Sequence, residues 1–146
     1  MTPAERKYEK YIIRQPKAGR VPDFFGPPAK HVKATNMGFL DDEVVKGGFY
    51  VETVWFAKGS EEIAVHPHTH DYDEVLAFYG SNPDKPDDLG GEIEEWIDDE
   101  KYVLTKSCFL FVPKGLKHGP LIIRRVDRPI FHFATGNSGS YHGQKV

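Results

Sequence analysis

The chain has 146 residues, of which 39% are hydrophobic, 28% are charged and 13% are aromatic, and its formal net charge is -3. This length fits one domain with a substantial hydrophobic core, so we predict a single domain. Lysine and arginine do not cluster apart from acidic residues, which argues against nucleic acid as a partner.

The sequence also indicates the cellular compartment. A single cysteine, Cys108, excludes an intrachain disulfide framework and is typical of a reducing environment. There is no apolar N-terminal run of the signal-peptide kind and no stretch long enough to span a bilayer. We therefore expect a cytoplasmic protein with no membrane partner.

Residues 1–48 are predicted to form an N-terminal arm. A capping box at residues 2–5, with Pro3 at the first helical position, predicts a short helix from Pro3 to about Tyr11. The density of proline and glycine over residues 15–30 excludes regular structure. We expect this segment to cover the rest of the domain or a partner subunit.

Residues 49–135 are predicted to form an all-β unit, because short runs rich in β-branched and aromatic residues alternate with turn signals. The predicted strands cover residues 49–56, 61–70, 74–79, 91–97, 100–105, 107–112, 121–126 and 129–134. Residues 80–91 indicate a long loop, and Asp98-Asp99 indicates a two-residue hairpin turn. The acidic cluster beside that turn, which includes Glu94 and Glu95, is expected on a solvated face. Residues 136–146 form a small, polar tail that should be poorly ordered unless it crosses an interface.

A histidine-rich stretch precedes the third predicted strand. Side chains of an extended backbone alternate between two faces, so His66, His68 and His70 should share one face. Glu74 shares its face with apolar residues of the following strand and should be buried. A buried carboxylate is costly unless it is protonated, paired or bound to a metal, and the nearby imidazoles favour a metal.

Two motifs resemble those of the cupin superfamily, also described as RmlC-like. His68, His70 and Glu74 fit the pattern HXH(X)3,4E, and Pro113-Lys-Gly115-Leu-Lys-His118 fits the pattern PXG(X)2H. The chain departs from the superfamily pattern at Gly59, Gly80, Ser107 and Ile122, which are mostly turn positions. The resemblance implies a jelly-roll β-barrel with an N-terminal arm, and a homodimer to which such arms contribute.

The resemblance implies that one divalent metal is held by His68, His70, Glu74 and His118. Mixed nitrogen and oxygen ligands suit Fe, Mn, Co, Ni, Cu or Zn. An octahedral ion would keep two positions for water, substrate or O2, whereas a tetrahedral ion would be nearly closed. His66 is expected as a pocket wall or hydrogen-bonding neighbour of the ligands.

His132 lies on the strand face opposite two phenylalanines, so it either lines the cavity or is a partly exposed barrel residue. His66 and His132 are the candidate catalytic bases. We expect a metal-dependent enzyme, most simply a dioxygenase, that acts on a small polar molecule. An isomerase, lyase or decarboxylase stays open, and the alternative from another class is a non-catalytic binding or sensor domain.

Overall fold

The structure, a computed structural model, describes residues 6–146, and the regular secondary structure of these residues is almost entirely β-strand. The ten strands are β1 (Lys33–Leu40), β2 (Val51–Lys58), β3 (His68–Thr69), β4 (Glu74–Tyr79), β5 (Asp88–Ile97), β6 (Glu100–Lys106), β7 (Cys108–Val112), β8 (His118–Val126), β9 (Ile130–Gly136) and β10 (Gln144–Lys145). From residue 6 onward the only helical element is a 3-10 turn at Glu9–Tyr11, and the start of the predicted helix lies outside the described residues. No helix in residues 6–146 is long and apolar enough to cross a membrane.

The strands form two five-stranded antiparallel sheets. The first sheet has the order β1-β2-β9-β4-β7, and the second has the order β10-β3-β8-β5-β6. Their inner faces share one core, in which Phe56 and Phe78 of the first sheet pack in a common cluster with Ile93 and Ile123 of the second. The predicted all-β jelly roll is therefore confirmed.

Strand β4 matches its predicted bounds, and Glu74, Leu76 and Phe78 point inward and are buried, as predicted for one face of this strand. The β5–β6 hairpin also forms as predicted, with Asp98 at φ 54° in the turn. Strand β5 begins at Asp88, which shortens the predicted loop to residues 80–87.

The predicted strand at residues 61–70 is wrong for most of its length. Only His68–Thr69 is a strand, and Val65 makes an isolated bridge to Leu121. Pro67 lacks a backbone N–H and cannot complete a ladder there. The alternation argument therefore does not extend from His68 back to His66.

Strand β1 lies inside the segment that we assigned to the arm. It pairs antiparallel with β2 along Lys33 to Leu40, with register shifts at two places. The first half of β1 is mostly polar and exposed, as is common for an edge strand. It therefore lacks the hydrophobic alternation by which a strand is predicted from sequence. The first sheet thus begins well before residue 49.

Part of the arm and the C-terminal tail both pack beside the histidine segment. Gln144 and Lys145 of β10 pair with Thr69 and His68 of β3, which orders the tail within this chain. The arm contains no strand over residues 15–30, and the carbonyl of Phe24 accepts the N–H of His66 at 2.8 Å. The two ends therefore border the histidine segment.

Candidate metal centre

Four side chains meet between the sheets. His68 and His118 are cross-strand partners on β3 and β8, His70 follows β3, and Glu74 begins β4. Each residue is at most 4% exposed, and each offers one ligand atom within 4.8 Å of the other three. The ligand set implied by the two motifs is therefore brought together by the fold.

Backbone carbonyls fix the orientation of all three imidazoles. The Nδ1 atoms of His68, His70 and His118 lie 2.8, 2.6 and 3.1 Å from the carbonyl oxygens of His66, His142 and Leu116. A carbonyl only accepts, so each Nδ1 carries the proton and each Nε2 keeps its lone pair. This arrangement resembles the carbonyl-supported histidines of metal sites.

The three Nε2 atoms and Glu74 converge. The Nε2 atoms of His68 and His70 are 3.0 Å apart, and Glu74 Oε1 lies 3.3 Å from His70 Nε2 and 3.2 Å from His118 Nε2. Ligands about 2.1 Å from one ion sit roughly 3 Å from their neighbours, so these separations suit a shared cation. Lone pairs that face each other repel unless a positive charge lies between them.

The protonation states favour the same conclusion. Burial, followed by the neighbouring His118, lowers the pKa of His68 to about 4, so its ring is neutral at pH 7. Burial alone would raise the pKa of Glu74, but the adjoining imidazoles of His118 and His70 outweigh it and lower the pKa to about 2, so Glu74 is ionised at pH 7. Neutral imidazoles beside a carboxylate are the forms that bind divalent metals.

A cavity of about 80 Å³ opens beside this cluster. That volume is several times the ~10–15 Å³ needed for one water, so the space admits a small molecule. Its lining contains His68, Glu74 and His118 together with further polar side chains, namely Arg20, Asp23, Tyr50, Glu52, Glu95, His132 and Tyr141. The wall therefore offers hydrogen-bonding groups as well as apolar surface to a small molecule.

His132 lines the cavity, which is the first of the two positions that the sequence left open for it. It is 8% exposed, and its ring stacks on Phe78 and Phe56 at centroid distances of 4.6 and 5.6 Å. Its Nδ1 donates to the carbonyl of Ala77 at 2.8 Å, so Nε2 carries the lone pair. Burial lowers the pKa of His132 to about 4, which makes it a neutral acceptor at pH 7.

His66 takes a different position from the other histidines. Its ring nitrogen Nε2 lies 2.9 Å from the carbonyl of Pro27, and the residue does not line the cavity. A Cβ at Gly26 would come within 2.5 Å of the His66 ring, so the arm and this imidazole are in tight contact. His66 contacts the centre only through its backbone carbonyl, which accepts the Nδ1–H of His68.

The N-terminal arm supplies one wall of the centre. Phe25 is 5% exposed and its ring lies 4.1 Å from the His68 ring in a nearly parallel stack. Arg20 enters the cavity from the same segment, with its guanidinium 4.0 Å from the Phe39 ring and Nη2 2.8 Å from Glu52 Oε2. The arm therefore belongs to the site as well as covering it.

Sequence reasoning missed the buried acids of β5. Glu94 and Glu95 are 5% and 1% exposed, so the predicted solvated face is wrong for both. Glu94 is paired with Arg124 and receives the Trp96 indole N–H, whereas Glu95 lines the cavity. The apolar Ile93, two residues before Glu95 on the same face, was the available signal.

Comparison with known proteins supports the fold. No protein-family model matches the chain, and no curated protein matches it by sequence. An oxalate oxidase solved with the substrate analogue glycolate matches with a TM-score of 0.56 at 17% identity, covering 98% of this chain and 67% of the other. Peruvianin-I, described as a cysteine peptidase from Thevetia peruviana latex, matches with a TM-score of 0.54 at 18% identity, covering 100% and 83%.

A cupin 2 domain-containing protein from Halorhodospira halophila matches with a TM-score of 0.50 at 13% identity, covering 92% of this chain and 82% of the other. At these identities the likeness concerns the fold and not the activity. With two antiparallel sheets and a buried cluster built from both motifs, this chain has the fold of the cupins.

Proposed function

We propose that the chain is a divalent-metal enzyme of the dioxygenase type, acting on a small polar molecule in the cavity beside the metal. The observation that carries the proposal is the convergence of three Nε2 lone pairs and one carboxylate oxygen within 4.8 Å, each imidazole being held by a backbone carbonyl. Fe, Mn, Co, Ni, Cu and Zn all suit this donor set.

The protein's own residues have separate roles in this proposal. His68, His70, Glu74 and His118 hold the ion, which supplies Lewis acidity and, with free positions, activation of O2. His132 presents a neutral Nε2 to the cavity and is the candidate base. His66 was the second candidate base; its ring contacts the arm at Pro27, and we propose that it acts by holding the arm and His68 in place.

The first experiment tests the ligand set by elemental analysis of protein purified without a histidine tag. We expect one equivalent of a divalent transition metal in the wild type and almost none in His68→Ala or His118→Ala. His66→Ala is the matched control from the same segment, and it should retain most of the metal. Equal loss in all three variants would show that the ligand assignment is wrong.

The second experiment tests the reaction. Metal-reconstituted protein is screened for O2 consumption with small hydroxy, oxo and dicarboxylic acids. Oxalate and glycolate come first, because the oxalate oxidase of similar fold was solved with glycolate. Consumption of O2 that depends on both metal and compound supports a dioxygenase or oxidase, whereas product formation without O2 consumption would favour an isomerase, lyase or decarboxylase.

A non-catalytic small-molecule binder or sensor is the second candidate, and the position of Phe25 favours it. The ring covers His68 at 4.1 Å and leaves little solvent access on that side. Cobalt-substituted protein separates the two candidates, since its visible spectrum reports coordination number. A four-coordinate spectrum that azide does not change would indicate a closed structural site.

A further inference from the structure

Glu95 is the most completely enclosed acidic side chain of the cavity wall. It lies on β5 opposite Leu121 of β8 and is 1% exposed. The same cavity is lined by Glu74 and His118. Glu95 therefore faces the space next to the metal cluster without belonging to the cluster itself.

Glu95 has one hydrogen-bond partner among residues 6–146. Its Oε1 accepts the backbone N–H of Gly119 at 3.0 Å, and no lysine, arginine or histidine of those residues forms an ion pair with it. Gly119 adopts φ +95°, and a Cβ there would lie 3.0 Å from the carbonyl oxygen of His66. A glycine is thus required at the position that donates to Glu95.

An enclosed carboxyl group without a counter-ion is neutral. The free energy needed to remove an ionised carboxylate from water exceeds the stabilisation by a single N–H hydrogen bond. Burial raises the pKa of Glu95 well above its ordinary value. A neutral carboxylic acid carries an O–H donor. Because Glu95 lines the cavity, that donor can be used there.

We propose that Glu95 is a proton-donating residue of the cavity, which binds an oxygen atom of a small carboxylate, enolate or carbonyl compound held beside the metal. The proposal rests on the proposed function, since the metal holds the other end of the same compound. When negative charge builds on that oxygen, the Glu95 O–H bond breaks with its electron pair left on Glu95. A new O–H bond forms on the compound, and the Gly119 N–H stabilises the carboxylate.

The test is infrared difference spectroscopy of the carboxylic acid C=O band, which an ionised carboxylate does not show. Wild-type protein in H2O and D2O should give a deuterium-sensitive band that Glu95→Gln abolishes. Glu94→Gln is the matched control, because Glu94 is the neighbouring glutamate on β5 and has little exposed surface, but it is paired with Arg124 and lies outside the cavity lining. It should leave the band unchanged.

Contact with a ligand is tested on zinc-loaded protein with glycolate as the probe. Glycolate should shift the Glu95 band in the wild type and in Glu94→Gln, and Glu95→Gln should weaken glycolate binding severalfold by calorimetry. Should Glu95→Gln fail to fold, Glu95→Asp keeps the acid group and should move the band instead of abolishing it. A missing band, or a band that saturating glycolate does not move, overturns the proposal.

Metal content distinguishes this outcome from failure of the proposed function. Glu95→Gln should bind one zinc per chain, as the wild type does, because Glu95 is not among the four clustered ligands. A wild-type protein that binds no metal contradicts the proposed function. A metal-loaded protein whose Glu95 is ionised or unaffected by glycolate contradicts only this inference.

Discussion

Burial keeps His132 uncharged, and this lowers the stability of the folded protein at low pH. The unfolded protein protonates this imidazole near its ordinary pKa of 6.5, whereas the folded protein does so only at about 4. Between these values the unfolded state binds more protons, so stability rises with pH. The contribution is fully present above pH 6.5 and is lost as the pH falls toward 4.

We therefore predict that His132→Gln flattens part of the pH dependence of stability. The difference between an ordinary pKa of 6.5 and a folded-state pKa of about 4 corresponds to roughly 3 kcal/mol once both states have titrated. The advantage of wild type over His132→Gln, measured by urea unfolding of metal-free protein, should shrink by most of that amount between pH 7.5 and pH 4.5. Parallel curves for the two proteins would mean that the pKa of His132 is the same in the folded and unfolded states.

At the residue scale, spacing predicted the clustering of His68, His70 and Glu74 because these residues are close in sequence and need only local backbone geometry. His118 was placed by a second local motif. Glu95 was missed because a charged residue in an acidic run normally points to solvent, and its burial depends on β8 covering that face of β5. The position of His66 was likewise decided by a distant partner, Pro27.

At the scale of elements, the segment that leads into the short strand β10 controls the orientation of His70, a proposed metal ligand. The carbonyl of His142, just before β10, accepts the Nδ1–H of His70 at 2.6 Å, while the His142 side chain bonds to Asp71 at the surface. Backbone and side chain of one residue thus have separable roles. A sequence pattern could not predict this, because a carbonyl is present at every position.

We predict that removing residues 142–146 weakens metal binding about tenfold or more, since loss of a supporting hydrogen bond typically costs 10- to 100-fold in affinity. His142→Ala keeps the carbonyl and should bind metal nearly as the wild type does. Competition with a chromogenic chelator measures both affinities. Equal weakening in the two variants would assign the effect to the His142–Asp71 contact instead.

The arm is the second element with a measurable contribution. Phe25 is buried against the rings of His68, His70 and Tyr141. Phe25→Ala should lower the free energy of unfolding by about 3 kcal/mol, the lower end for removing a buried aromatic side chain. Val21→Ala, at a position that is 87% exposed, is the control and should change it by less than about 0.5 kcal/mol. Urea unfolding of metal-free protein measures both, and a small effect at Phe25 would mean that the arm is loosely held.

Prediction of elements succeeded where a run of strand-forming residues is bounded by polar and glycine residues, as in β4, and failed where pairing alone makes a strand. β1 is held by its ladder to β2, and residues 61–67 lack a ladder although their composition resembles that of a strand. Both results depend on partners that are distant in sequence.

At the scale of the whole molecule, the outer face of the first sheet is unusually apolar. Trp55 and Phe131 pack there with ring centroids 5.1 Å apart, and Phe133 adjoins Phe131 at 6.3 Å. On the edge strand β7, Phe109 and Phe111 are 62% and 60% exposed. Large exposed apolar patches generally mark an interface, and a homodimer is the partner that we predicted.

We predict that two copies associate through this face. In Phe109→Lys/Phe111→Lys, two like charges per chain replace aromatic surface, so sedimentation velocity should show a shift from dimer to monomer with little change in Tm. Tyr102→Lys on β6, the edge of the other sheet, is the matched control because Tyr102 is also exposed, at 43%, and the dimer should persist. A monomeric wild type, or a double variant that still dimerises, would contradict the assignment of this face, because lysines at its most exposed positions cannot be buried against their symmetry mates without a large desolvation cost.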